Sequence, residues 1–268
     1  MKNERIDAYA NYYYKLNKKK TYKTRFLAIF FVFFCVSVLI FFSVSFSSFL
    51  TVSKIVNVNS NYIYNNKMVY GLSLYKTNNL TEAKERASEV NKQGGAGFIY
   101  NDKLNGIYII SSIYKTKEDA LSVKKNLENN NINSEIVEIN LPAINLSANL
   151  NSKSQKILNN GVNMFYSTYV KLYNLSISFD KSEIDNKTLK VYVNNILQEC
   201  NETLNEFTTH FNSANNVYIL YVKIYLNQAK DFLSKFTLLD ESVNLSSEIK
   251  LVYCNILNCY LSLCDEML

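Results

Sequence analysis

The feature that most limits what this chain can become is a run of 28 residues, Phe26 to Ser53, without a charged side chain. About 20 apolar residues suffice to cross a bilayer core of roughly 30 Å. The stretch FLAIFFVFFCVSVLIFFSVSF also lacks the polar stripe that a helix on a soluble surface keeps. The run therefore predicts a transmembrane helix over 26–53. It is longer than the roughly 7–15 residues of a secretory signal core, so it reads as an uncleaved anchor. Flanking charge predicts its direction. Eight basic residues (Lys2, Arg5, Lys15, Lys18, Lys19, Lys20, Lys23, Arg25) precede it against Glu4 and Asp7, while Lys54 and Lys67 alone carry positive charge in the following 20 positions. The positive-inside rule then places the 1–25 tail in the cytoplasm and everything after Ser53 outside, as a single-pass protein of the cell membrane.

The formal charge of +6 sits entirely in that tail, because the rest of the chain balances 21 basic against 21 acidic residues. A basic tail on a neutral body is not a nucleic-acid-binding surface, and no nucleic-acid partner is expected. One histidine in the whole chain excludes a multi-His metal site and argues against Ser/His/Asp or Cys/His catalysis. That histidine, His210, is not expected to be catalytic. Cys254, Cys259 and Cys264 recur every five residues, which rotates successive thiols by about 140° on a helix, so they do not converge on one metal. Cys35 falls in the uncharged run. A disulfide from Cys200 to the last helix and a set of buried free thiols are the two readings of the remaining cysteines. Asp180, Glu183 and Asp185 read as helix-start acids. No enzyme, cofactor, metal or catalytic residue is expected.

Residues 54–67 are short and Asn-rich and read as a linker. The stretch 68–140 then alternates strand and helix signals. Met68–Tyr75 is apolar enough for a strand, and Asn79-Leu-Thr-Glu82 is a capping signature that opens a helix through Ala83, Ala87 and Val90. Gly94-Gly95 ends that helix. Gly97–Tyr100 is a short strand, Asn101–Gly106 a turn, and Ile107–Tyr114 a β-branched and aromatic strand. Thr116-Lys-Glu-Asp119 opens a second helix along Ala120, Val123 and Leu127, and Ser134–Ile139 closes with a strand. The order is βαββαβ. Its halves echo each other: Tyr75-Lys76-Thr77 returns as Tyr114-Lys115-Thr116, and Leu80-Thr81-Glu82-Ala83 as Lys117-Glu118-Asp119-Ala120. Two such halves predict a ferredoxin-like four-stranded sheet with both helices on one face and the other face bare.

In this pattern the unit resembles a SPOR domain, the small peptidoglycan-binding module of bacterial division and sporulation proteins. Gly71-Leu72-Ser73-Leu74-Tyr75 stands where that family ends its first strand. Gly106 to Tyr114, followed by Glu118-Asp119-Ala120, stands where it carries its second motif. The resemblance covers about 72 of the 268 residues. It implies that the bare sheet face meets glycan strands of peptidoglycan through Tyr70, Gly71, Leu74, Tyr108 and Ile110. It also implies septal peptidoglycan, the membrane, and division or sporulation proteins as partners. The chain departs from the family where a polar Gln and Ser are usual, having Gly71 and Leu74 instead. The alternative is therefore a scaffold with the same fold and no sugar binding, whose bare face packs on another protein or on the C-terminal region.

Asn140–Ser152 holds the only proline, Pro142, and marks a second linker over 141–153. Beyond it, four apolar stripes at helical spacing predict an antiparallel helical bundle over 154–268. The expected architecture is thus α+β: a transmembrane helix, a SPOR-like βαββαβ domain and a separate C-terminal bundle.

Overall fold

A computed structural model describes residues 67–144, 150–212, 216–240 and 242–267. All of them belong to one compact unit, Ser60–Leu268. Within it, each helix begins where a short polar side chain can take up the free amides of the first turn. Asn79 accepts from Thr81 N and Glu82 N ahead of α1 (Leu80–Lys92), and Thr116 accepts from Asp119 N ahead of α2 (Lys117–Asn129). Asn151, Asp185 and Asn216 cap α3 (Ser152–Asp180), α4 (Asn186–His210) and α5 (Val217–Thr237) in the same way. Ahead of α6 (Leu245–Met267), the Ser247 amide donates to Asn244 Oδ1 at 3.3 Å.

The strands are β1 (Lys67–Thr77), β2 (Phe98–Asp102), β3 (Gly106–Tyr114) and β4 (Glu135–Leu141). They form one antiparallel sheet in the order β2-β3-β1-β4. The β1–β3 register runs regularly from Tyr70 opposite Tyr114 to Leu72 opposite Ser112, then shifts around Ser73. The buried Ser73 hydroxyl fills that irregularity, lying 2.7 Å from the Tyr75 carbonyl and 3.3 Å from that of Ile109. Side chains alternate across a strand, and β3 shows what each side meets. Ile107 and Ile109 pack with Ala83, Ala87 and Val90 of α1. Tyr108 and Ile110 join the apolar core that continues through α3, α4, α5 and α6.

The expected architecture is corrected in two ways. First, the segment 26–53 lies outside the described residues, and among the described residues no helix is long and apolar enough to cross a membrane. The expected transmembrane fold, and the single-pass location in the cell membrane with extracytoplasmic C-terminal domains drawn from it, are corrected to that extent: the described residues contain no spanning helix, and the segment on which both readings rest is not among them. Second, the described residues are mostly helical, with six helices and a four-stranded sheet, and the sheet face expected to be bare is covered. The physical reason is composition. Val69, Phe98, Tyr108, Ile110, Val137, Ile139 and Leu141 are too apolar to stay in water, and α3 and α6 supply a matching surface. Pro142, in the expected 141–153 linker, is tied to the bundle, because the Tyr260 hydroxyl donates to its carbonyl.

One glycine sets the close approach of α1 to β2. Gly97 has φ +61°, and a Cβ there would lie 2.2 Å from the Ala87 carbonyl oxygen, a backbone atom that cannot rotate away. Gly97→Ala should therefore lower stability by about 2–3 kcal/mol, combining the left-handed penalty with displacement of α1. Urea denaturation measures this, and an unchanged midpoint would refute the steric account.

Candidate binding face

The residues that the SPOR resemblance assigns to a glycan are not held on one accessible surface. Tyr108 is 4% exposed and Ile110 is fully buried. Gly71 is buried beside the same core: a Cβ on it would meet Ile110 Cδ1 at 3.1 Å and Ile139 Cδ1 at 3.4 Å. Leu74 lies within the register shift between Ser73 and Tyr75, half-buried against the α1-side cluster of Ala83, Ala87, Val90 and Ile109. Tyr70 is half-buried, opposite Tyr114 on β3 and Glu138 on β4. The structure thus puts Gly71, Tyr108 and Ile110 around one core and Leu74 in the other.

What covers Tyr108 and Ile110 is specific as well as apolar. A run of tyrosine rings joins β3 to the bundle: Tyr114 meets Tyr173 edge-on at 6.4 Å between centroids, and Tyr173 and Tyr169 of α3 meet Tyr253 of α6 at 6.2 and 5.7 Å. Such edge-to-face pairs add to simple area burial. Two hydroxyls inside this layer find partners across it. Ser112 Oγ and Tyr253 Oη lie 2.6 Å apart, and Tyr169 Oη donates to the Ile113 carbonyl at 3.4 Å. Burial pushes the Tyr114 phenol up to about 12 and the Tyr253 phenol well above its ordinary value.

The rim of this interface is polar. Lys250 Nζ sits 2.8 Å from Asp180 Oδ2, donates to the Gly94 carbonyl at 3.0 Å and to Ser246 Oγ at 2.8 Å, with its side chain 14% exposed. Ser246 donates to Asp180 Oδ1 at 2.5 Å, and Ser247 donates to the Asn91 carbonyl at 2.5 Å. The C-terminal turn of α1, the end of α3 and the start of α6 are thereby joined. Sequence reasoning missed this node. Its one signal is a lysine inside the apolar stripe Ile249-x-x-Val252-Tyr253.

The acids expected at a helix start divide. Asp185 caps α4 at the Thr188 amide (2.7 Å), but Asp180 is the last residue of α3, and Glu183 lies in the turn between the two helices. They border an open cleft of about 1040 Å³ with Phe179, Ser182 and Ile184. Asp180 is engaged by Lys250 and Ser246, and Asp185 by the Thr188 amide. His210 Nε2 shares a 2.8 Å hydrogen bond with Ser154 Oγ, and its ring stands edge-on to Phe211 at 4.8 Å. Among the described residues no carboxylate reaches His210, and the Ser154 amide is taken by Asn151. The pair therefore lacks both the orienting acid and a local oxyanion donor of a serine hydrolase. Among the described residues no group of three or more His, Cys, Asp or Glu is placed to hold a metal ion.

No family model, no curated protein and no solved structure matches the chain. The SPOR resemblance therefore stands on the pattern of strands and caps alone.

Cys200, Cys254, Cys259 and Cys264 are free and buried. Desolvation raises Cys200 from the ordinary 9.0 to about 11, and Cys259 and Cys264 to about 12. Unfolded thiols ionise near 9.0, so their burial contributes fully below that pH and is lost as pH climbs towards 12. Thermal melting should fall steadily through this window, and a melting temperature flat up to about pH 11 would contradict it. Iodoacetamide should leave these four thiols unmodified in the folded chain and label all four in urea. The Ser112–Tyr253 pair gives a sharper test. Either Ser112→Ala or Tyr253→Phe strands a buried hydroxyl and should cost about 1–3 kcal/mol, while the double variant should recover part of that loss. Additive losses in urea denaturation would show that the two hydroxyls do not depend on each other.

Proposed function

We propose that the chain is a non-catalytic interaction protein. In this reading the four-stranded sheet is an internal platform for the helical bundle, and protein partners are engaged by the exposed helical surface. The observation that supports it is the burial of Tyr108 and Ile110, 4% and 0% exposed, under α3 and α6. A sugar ring needs an open aromatic face to stack on. The rival reading, in which a SPOR-like sheet grips septal peptidoglycan, requires Tyr108 and Ile110 to leave a core that also holds Phe165, Tyr169 and Tyr253. The engaged side chains at the node, the cap and the Ser154–His210 pair also favour a binding role over a catalytic one.

Co-sedimentation with purified peptidoglycan sacculi separates the readings. The full chain should remain in the supernatant, and saturable pelleting of the folded protein would overturn the proposal. Tyr108→Ala should cost about 3–5 kcal/mol of stability, as removal of a buried aromatic side chain does. A Tyr108→Ala protein of unchanged stability that had lost affinity for sacculi would place that ring in a binding site instead. A photo-crosslinking residue at Val191 or Leu220, 53% and 52% exposed, should give discrete protein adducts in cells. Adducts confined to wall material would refute the protein-partner reading.

A further inference from the structure

We draw no further inference here: the strongest candidate, the exposed apolar stripe of Val217, Leu220 and Ile224 on the first turns of α5, carries nothing because nothing in the structure shows what covers it.

Discussion

Burial of both sheet faces is the constraint on which the rest of the structure depends. The central strand β3 reads Ile107-Tyr108-Ile109-Ile110, apolar at odd and even positions alike. Since successive side chains point to opposite faces, one layer of helices can satisfy only half of such a strand. The half served by α1 is small, with two alanines and a valine under the helix. The half served by α3 and α6 merges with the bundle core. Each fully buried aliphatic side chain contributes roughly 1.5–3 kcal/mol, so separating sheet from bundle would expose several such contributions at once. The two layers therefore stabilise each other, and neither is complete alone.

Apolar burial fixes no orientation by itself, because it is non-directional. Direction comes from the polar contacts set into it. The Ser112–Tyr253 hydrogen bond and the Tyr169 contact to the Ile113 carbonyl each tie a bundle helix to a named point on β3. At the rim, Lys250 reaches both the Gly94 carbonyl and Asp180, which sets the start of α6 against the end of α1. A shifted docking would strand these groups away from water, at about 1–3 kcal/mol for each buried hydroxyl.

How much of this was legible in the chain depends on the range of the interaction. Local signals read true where they are self-contained: Asn79 and Thr116 cap α1 and α2, and Gly94, with φ +96°, lies just past the end of α1. Interactions between distant residues were not legible. Asp180 looks like a helix-start acid only because the 29-residue span of α3 and the partnership with Lys250, 70 positions away, leave no mark in the neighbouring sequence. The bare sheet face was an error of a different kind. The run of apolar residues at both parities in β3 is the signature of a strand buried on two sides. Following the βαββαβ pattern to a two-layer sheet discounted it. Of the five residues assigned to a glycan, Gly71, Tyr108 and Ile110 fell into the core for that reason. Leu74, three positions from Gly71, falls on the other side by strand alternation alone. The readings of 26–53 and of Cys35 fall outside the described residues.

The same packing argument bears on function. A catalytic or sugar-binding site needs polar groups held in place but left free to meet a ligand. In the described part of this chain, the candidates are held by one another. Asp180 is held by Lys250 and Ser246, Asp185 by the α4 amide, Ser154 by His210, and Ser112 by Tyr253. Groups committed in this way position helices and strands. A surface that offers shape and apolar area, with polar groups engaged inside, is the kind a protein partner can meet. That is the packing argument behind the proposed interaction role.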